Sequence, residues 1–274
     1  MAITMNEGAR IYWDERGRGD PVLLIMGLGW ASALWHRSRP VLSEHYRTIV
    51  LDNRGVGQSD VPPGPYPIAL MAADAAAVLD AAGVERAHVF GVSMGGMIAQ
   101  EFALNYPQRV RSLILGCTAA GGPQAVRAEP AVIELLTRQG MTPDELALAI
   151  NPFIYDQGTS RERVEEDMVL RKRWSPDPAG HLAQLQGIMM WEAFSRLEQI
   201  TAPTLVIHGE SDQLVPPANA QLIAGRIPKA KLIMIPHASH ILATDQPDAT
   251  HRAVLEFLAE HRNERLGSVG SLAS

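Results

Sequence analysis

The chain has 274 residues, of which 46% are apolar and 20% are charged, and its formal net charge is −6. This composition excludes a disordered or fibrous protein, because the apolar fraction is large enough to build a sizeable core. The 30 acidic and 24 basic residues are scattered along the chain, so no basic patch predicts a nucleic-acid partner.

The single cysteine, Cys117, excludes an intramolecular disulfide and a zinc site built from thiolates. The N-terminal residues lack the basic segment and long apolar run of a secretory signal. No apolar stretch reaches the roughly 18 residues that a membrane-spanning helix needs. We therefore expect a cytoplasmic protein that does not have a membrane as a partner.

The N-terminal part of the chain predicts an antiparallel hairpin. Residues 9–13 and 22–26 are apolar runs, and the glycine-rich turn between them is too short to hold a crossover helix. We expect these two runs to pair with each other ahead of a parallel sheet.

Short apolar runs rich in Val, Ile and Leu recur along the chain and predict buried strands. They are continuous rather than alternating, as in a parallel sheet that is covered on both faces. The runs are residues 22–26, 48–51, 87–90, 111–115, 204–207 and 231–235. Helical patterns occupy residues 67–82, 94–105 and 246–260. This alternation predicts an α/β fold with a mostly parallel, doubly wound sheet.

The strand signal disappears between about residues 120 and 197. Helical patterns punctuated by proline replace it at residues 131–139, 143–150 and 161–173. We expect a helical cap, residues 120–197, inserted into one core domain formed by residues 1–119 and 198–274. The charged pattern at residues 161–173 favours a solvated helix face with i,i+4 ion pairs, and binding of an acidic substrate is the alternative.

A serine lies at the junction of a predicted strand and a predicted helix. Residues 91–96 read Gly-Val-Ser-Met-Gly-Gly and follow the strand at 87–90 directly. On such a tight turn the hydroxyl of Ser93 projects above the sheet, and the following helix directs free N–H groups at a developing negative charge. Ser93 is therefore the predicted nucleophile, and a plain glycine loop is the alternative.

A serine hydroxyl becomes a good nucleophile only when a base removes its proton. His240 follows the last predicted strand, 231–235, and so lies at the carboxyl edge of the sheet, where Ser93 also emerges. His237 is the competing candidate for the base. His208 ends another predicted strand and is interpreted as structural.

The acid of the triad is expected between the serine and the histidine in the chain. Asp212 follows the strand at 204–207 and lies at the same sheet edge, with Glu210 in the same loop as the alternative. The loop after the strand at 111–115 offers no acid but contains Cys117, which we interpret as a small buried residue. The absence of an acid from that loop favours Asp212.

An oxyanion requires two hydrogen-bond donors. One is the backbone N–H of Met94, which starts the helix after Ser93. The glycine-rich turn after residues 22–26 supplies the other, most simply the N–H of Leu28. This chemistry needs no cofactor and no metal ion.

Apolar residues beside these positions, together with a run in the cap, predict the walls of a substrate pocket. The predicted wall residues are Trp30, Val215, Ile241, Met189, Met190 and Trp191. The methionine pair is equally compatible with a helix core. A pocket with these walls favours acyl or alcohol groups of moderate size and little charge.

Five motifs in this order resemble those of the α/β-hydrolase superfamily, in the subgroup that carries a helical cap. The resemblance covers about residues 9–262 and includes the turn at 27–29, the stretch at 52–60, the serine motif at 91–96, the loop at 209–216 and His240. We interpret the charges of the 52–60 stretch as turn scaffolding. The resemblance implies a serine hydrolase that cleaves esters or lactones through an acyl-enzyme, and we expect a monomer or homodimer.

Residues 93–100 are similar to the corresponding segments of carboxylesterases and 3-oxoadipate enol-lactonases. A carboxylesterase acting on small to medium, largely apolar esters is the leading hypothesis, and an enol-lactonase is the alternative. Cofactor-free haloperoxidases or perhydrolases and C–C bond hydrolases share the Ser-Met-Gly-Gly core. A serine at position 93 is evidence against dehalogenases and epoxide hydrolases, which attack with a carboxylate. Met26 stands where the family often has histidine, and an intact triad disfavours a non-catalytic ligand receptor.

Overall fold

The computed structural model describes residues 1–138 and 140–262. Its first two strands, β1 (Ala2–Asn6) and β2 (Ala9–Arg16), form an antiparallel hairpin. The turn residues Glu7 and Gly8 both have positive φ angles, 49° and 76°, which is the geometry of a two-residue type I′ turn. An N-terminal hairpin is therefore confirmed, but β2 pairs with β1 and not with the run at 22–26.

The other strands of the described sheet coincide with the apolar runs within about two residues. They are β3 (Pro21–Ile25), β4 (Arg47–Leu51), β5 (Ala87–Val92), β6 (Val110–Gly116), β7 (Thr204–Gly209) and β8 (Lys231–Ile235). The strand order is β1-β2-β4-β3-β5-β6-β7-β8. All pairs from β4 to β8 are parallel, whereas β2 runs antiparallel to β4. The predicted α/β fold with a mostly parallel sheet is confirmed.

Helices cover both faces of the sheet. The described residues form α1 (Ser38–Ser43), α2 (Ile68–Ala81), α3 (Met94–Asn105), α4 (Pro130–Thr137), α5 (Pro143–Ile154), α6 (Arg161–Arg173), α7 (Pro178–Met189), α8 (Ala218–Arg226), α9 (Leu242–Asp245) and α10 (Pro247–Glu260). Leu23 and Ile25 of β3 pack on the side of α2, α3 and α8, and Val22 and Leu24 pack on the side of α1 and α10. Burial of successive residues on opposite faces explains why the strand runs are continuously apolar.

Helices α4 to α7 lie between β6 and β7, where the sequence predicts an inserted cap. We propose that residues 120–197 form this cap. The prediction at 161–173 coincides with α6, the helix predicted at 143–150 continues through Pro152 to residue 154, and the one predicted at 131–139 ends on Gln139, outside the described residues. Helix α7 is not predicted by the sequence.

Helix α7 packs directly onto core loops. A Cβ atom placed on Gly187 would lie 1.8 Å from the carbonyl oxygen of Tyr66, and one on Gly180 would lie 2.2 Å from that of Gly55. The backbone N–H of Tyr66 also donates to the carbonyl oxygen of Ala183 at 3.0 Å. Glycine at these two helix positions therefore permits a close approach between α7 and the core. None of the helices in the described residues combines the length and apolar character needed to cross a membrane.

Candidate active site

Ser93 lies on the sharp turn between β5 and α3. Its backbone has φ 56° and ψ −125°, a conformation that residues other than glycine rarely adopt. A Cβ atom on Gly91 would lie 2.0 Å from the carbonyl oxygen of Gly95, so the turn excludes a side chain at position 91. The N–H of Ser93 donates to the carbonyl oxygen of Gly116 at 2.9 Å. These contacts fix the serine at the carboxyl edge of the sheet, as the sequence predicts.

A second glycine lets β6 support this turn. A Cβ atom on Gly96 would lie 2.6 Å from the Cβ of Thr118, just beyond the end of β6. The hydroxyl of Thr118 donates to the carbonyl oxygen of Ser93 at 2.7 Å. The strained conformation of Ser93 is therefore held by the close turn between Gly91 and Gly95 and by the hydrogen bond from Thr118.

The structure brings Asp212 and His240 together at the same edge. Nδ1 of His240 lies 2.8 Å from Oδ2 of Asp212, and both side chains are buried, with 7% of the imidazole and none of the carboxylate side chain exposed. Burial disfavours the charged form of Asp212, but the neighbouring His240 and His208 outweigh it and lower the pKa of Asp212 to about 2. An ionised Asp212 accepts the Nδ1 proton, which leaves Nε2 of His240 to accept a proton.

A second histidine contacts the same carboxylate. Nε2 of His208 lies 2.8 Å from the carbonyl oxygen of Val215 and 3.2 Å from Oδ2 of Asp212. Because a carbonyl oxygen can only accept, Nε2 of His208 carries the proton and donates to both oxygens. Oδ1 of Asp212 accepts from the backbone N–H groups of Leu214 and Val215 at 3.0 and 2.9 Å. His208, interpreted from sequence as structural, therefore helps to hold the acid.

His237 and Glu210, the competing candidates for the base and the acid, are both exposed. His237 is exposed, has a positive φ of 56°, and accepts a hydrogen bond from Gln246 through its backbone carbonyl. Glu210 is also exposed. The hydrogen bond of 2.8 Å instead joins Asp212 to His240, which are the residues that the sequence favours.

Cys117 is buried just after β6, beside Asp212 and His240. Its Sγ donates to the carbonyl oxygen of Ser239 at 3.7 Å, and ligand-type atoms of Cys117, Asp212 and His240 lie within 4.8 Å of one another. Burial, reinforced by Asp212, raises the pKa of the Cys117 thiol well above its usual value. Because Nδ1 of His240 is bonded to Asp212 and the thiol stays protonated, this arrangement suits proton transfer better than metal binding.

The predicted oxyanion turn lies against Ser93, the predicted nucleophile. A Cβ atom on Gly27 would lie 3.0 Å from the Cβ of Ser93. The N–H of Gly29 is bonded to Oε1 of Gln184 in α7 at 2.9 Å. In the described part of the chain, the N–H groups of Leu28 and Met94 have no protein acceptor, so both are available to a ligand.

The stretch at 52–60 forms hydrogen bonds to residues on either side of the predicted oxyanion turn. The side-chain amide of Asn53 donates to the carbonyl oxygen of Met26 at 2.9 Å. The carboxylate of Asp52 accepts from the backbone N–H groups of Ser32 and Gln58 at 2.7 and 2.9 Å. Asp52 also lines a cavity of about 190 Å³ that includes Trp174 but no triad residue. These contacts match the interpretation of the stretch as turn scaffolding.

The predicted pocket residues lie in three different environments. Leu28 and Val215 pack against the apolar cluster that contains Met94 and Trp191, and the indole N–H of Trp191 donates to Glu101 at 2.8 Å. Trp30 and Ile241 pack with residues of α5. Met189 and Met190 are 75% and 74% exposed, which excludes the helix-core alternative for this pair. That these residues contact substrate stays a prediction.

The charged pattern of α6 is only partly a solvated face. Arg161 and Glu165 form the expected exposed i,i+4 pair at 2.7 Å. Asp167, however, is buried, and its carboxylate accepts from Thr244 at 2.6 Å, from Tyr155 at 3.1 Å and from Arg37. The solvated-face interpretation is wrong for Asp167, because the core and the rest of the cap supply partners that the local sequence does not reveal.

Arg171 is the second residue of this helix that is buried, at 8% exposure. Its guanidinium donates to Asn151 at 2.8 Å, and its Cζ lies 4.9 Å from the ring centre of Trp30. None of the ion pairs formed within the described residues includes Arg171. A buried cation therefore lies beside the residue that follows the oxyanion turn.

Comparisons with known proteins find hydrolases that are similar to this chain in sequence and fold. A family model described as "alpha/beta hydrolase fold" matches residues 20–247. The carbamate hydrolase RutD of Azorhizobium caulinodans is 32% identical over 257 residues, which is 92% of this chain and 96% of that protein. A poly(3-hydroxyalkanoate) depolymerase of Ectopseudomonas oleovorans is 32% identical over 88% of this chain and 85% of that protein. The crystal structure of the enol-lactonase of Burkholderia xenovorans LB400 has a TM-score of 0.82 at 26% identity, covering 94% of this chain and all of that chain.

Proposed function

The chain belongs to the alpha/beta hydrolase fold family, and from that premise we propose that it is a serine esterase that uses Ser93, His240 and Asp212 as a catalytic triad. The observation that carries the proposal is the 2.8 Å hydrogen bond from His240 to an ionised Asp212, at the sheet edge that also carries the strained Ser93 turn. The preferred substrates are small to medium carboxylic esters of little charge.

The mechanism follows the positions of the groups. The Ser93 oxygen attacks the ester carbonyl carbon while Nε2 of His240 takes the hydroxyl proton. The resulting oxyanion is bound by the N–H groups of Leu28 and Met94, each donor contributing about 3 kcal/mol to lowering the barrier. His240 returns the proton to the leaving alcohol, and the acyl group stays on Ser93. A water molecule then attacks the acyl carbon while His240 takes its proton. His240 returns this proton to the Ser93 oxygen as the bond to the acyl carbon breaks and the carboxylic acid is released.

Hydrolysis of p-nitrophenyl acetate, butyrate and octanoate by the wild type and Ser93→Ala tests this proposal. We expect turnover by the wild type and a loss of about 10³-fold or more in Ser93→Ala, as for other serine triads. His240→Ala should lose far more activity than His237→Ala. If a folded wild type cleaves no ester or lactone, the proposal is wrong. If Ser93→Ala keeps wild-type turnover, the assignment of Ser93 as the nucleophile is wrong.

A second candidate is hydrolysis of a lactone that carries a carboxylate, and the buried Arg171 favours it. The buried guanidinium of Arg171 forms no direct ion pair in the described structure, although Asp167 and Tyr155 interact with it, and a guanidinium next to Trp30 is suited to bind a substrate carboxylate. The likeness to an enol-lactonase structure agrees with this candidate. In this case Arg171→Met should lower kcat/KM for a carboxylate-bearing lactone much more than for a neutral ester. Arg173→Met, an exposed cation two residues away, is the matched control and should change neither value.

A further inference from the structure

Part of the cap bonds directly to the two loops that carry the acid and the base. The contact is made by residues 153–159, the end of α5 and the loop that leads to α6, which we call the cap linker. Three hydrogen bonds join the cap linker to neighbours of Asp212 and His240: Ser211 Oγ to Asp156 Oδ2 at 2.7 Å, Ser239 Oγ to Phe153 O at 3.3 Å, and Ile241 N to Ile154 O at 3.1 Å. Both residues that flank His240 are thus bonded to the cap linker.

A buried carboxylate adds a further link between the cap linker and the base. Asp245, at the end of α9, is only 4% exposed. Its Oδ1 accepts from the hydroxyl of Thr159 at 2.5 Å, and its Oδ2 accepts from the backbone N–H of Ser239 at 2.6 Å. One carboxylate therefore joins the side chain of Thr159 to the backbone N–H of Ser239, the residue immediately before His240.

This arrangement constrains the catalytic base itself. Among the described residues, Asp212 is the hydrogen-bond partner of the His240 ring. The position of the His240 Cα depends on the backbone of residues 239 and 241. The loop between β8 and α9 is short, so a change at Ser239 is transmitted to His240 through a single peptide unit. Small displacements of a catalytic group carry large losses of rate, about 10²-fold for 1 Å.

We propose that Thr159 and Asp245 are positioning residues for His240, so that the cap contributes to catalysis by orienting the base as well as by covering the substrate. The inference rests on the proposed function only for the role of His240 as base. It predicts that weakening the contact between Thr159 and Asp245 lowers kcat and leaves substrate binding nearly unchanged. A cap that only covers the substrate would instead affect KM.

Thr159→Val and Thr159→Ser test the proposal, because valine keeps the shape of the side chain and serine keeps the hydroxyl. With p-nitrophenyl butyrate we expect Thr159→Val to lower kcat about tenfold, as expected for a charge-assisted hydrogen bond that positions a reacting group, with KM within about twofold of wild type. Thr159→Ser should stay within about twofold of wild type in both values. Thr142→Val is the matched control: it removes an exposed threonine hydroxyl at the other end of α5 and should leave kcat unchanged.

A second measurement does not depend on the substrate. The proton between His240 and Asp212 should give a downfield NMR resonance in the wild type and in Thr159→Ser, and this resonance should shift or broaden in Thr159→Val. If Thr159→Val does not fold, Ser211→Ala, which removes the bond to Asp156, replaces it with the same expectation for kcat and the resonance. In Thr159→Val/Asp245→Asn, kcat should be no lower than in Asp245→Asn alone, since both changes remove one contact.

The outcomes separate this inference from the proposed function. If the wild type cleaves esters but folded Thr159→Val has wild-type kcat and an unchanged resonance, the inference is wrong and the esterase proposal stands. A rise in KM at constant kcat also overturns it. If the wild type cleaves no ester, the proposed function fails, and an unchanged resonance in Thr159→Val would then reject the inference independently.

Discussion

Replacing Asp212 by asparagine changes one atom of the carboxylate, and the structure determines where the new amide group must point. The Oδ1 position faces the backbone N–H groups of Leu214 and Val215, which are donors that cannot be reversed. The asparagine oxygen therefore takes that position, and its NH₂ group takes the position of Oδ2, 2.8 Å from Nδ1 of His240. Since an NH₂ group only donates, His240 must accept through Nδ1 and carry its proton on Nε2.

In that tautomer His240 cannot take a proton from Ser93. We expect kcat for p-nitrophenyl butyrate to fall by about 10³–10⁴-fold, which corresponds to about 4–5 kcal/mol of activation free energy at 1.36 kcal/mol per tenfold. Glu210→Gln is the matched control, because it neutralises an exposed acid in the same loop, and its kcat should match that of the wild type. If Asp212→Asn keeps kcat within tenfold of wild type, or if Glu210→Gln loses as much, the assigned acid is wrong.

The same substitution has a consequence for stability that depends on pH. The pKa of Asp212 is lowered from 3.8 to about 2 in the folded protein, which is equivalent to about 2 kcal/mol of folding stability. Because the folded pKa is depressed, this stability is fully present above the unfolded pKa near 4 and is lost as the pH falls through about 2. The wild type should therefore lose its advantage over Asp212→Asn in urea unfolding between pH 5 and pH 2. A difference that stays constant over this range would contradict the ionised Asp212.

Three further predictions follow from buried groups around the site. His208→Leu, which removes the second donor to Asp212, should lower kcat about tenfold at similar KM. His208→Gln keeps an N–H donor and should have a kcat close to that of the wild type. If the two variants have equal kcat, His208 contributes only its volume. Cys117 should resist iodoacetamide in the native protein, because burial raises the pKa of its thiol, and should react once guanidinium unfolds the chain. Asp167→Ala should reduce the free energy of unfolding by about 3 kcal/mol, because it leaves Arg37 without its buried partner, whereas Arg161→Ala at the exposed pair should change it little.

The sheet could be predicted from the sequence because its evidence is local. Each of the runs from β3 to β8 is apolar at successive positions, which is required of a strand covered on both faces. β1 has no such run, since its residues alternate between exposed and half-buried, and its only local signal is the turn at Glu7 and Gly8. The pairing of β2 with β4 joins strands that are far apart in the chain, so the spacing of neighbouring runs gives no information on it.

The sequence did not predict helix α7, because the evidence for this helix also lies in contacts with distant residues. Gly180 and Gly187 lower its helix propensity, and their value appears only in the close contacts with Gly55 and Tyr66. The burial of Asp167 and Arg171 in α6 is hidden in the same way, because their partners Arg37 and Trp30 come from a distant part of the chain. Ser93, Asp212 and His240 could be predicted to lie at one sheet edge because each follows a parallel strand, and the carboxyl ends of parallel strands share one edge.

The position of the cap in the chain has a mechanical consequence. The proposed cap, residues 120–197, leaves the core after β6, next to the turn of Ser93, and returns at β7, which is followed by the loop of Asp212. Within it, Gln184 of α7 bonds the N–H of Gly29 and the carbonyl oxygen of Arg54, and so holds the oxyanion turn, while Thr159 bonds Asp245 below the base. Helix α7 thus bonds to the predicted oxyanion turn, and the cap linker bonds to the loops that carry Asp212 and His240. Because both contacts come from the proposed cap, a displacement of that segment would disturb the predicted oxyanion turn and the loop of His240 together.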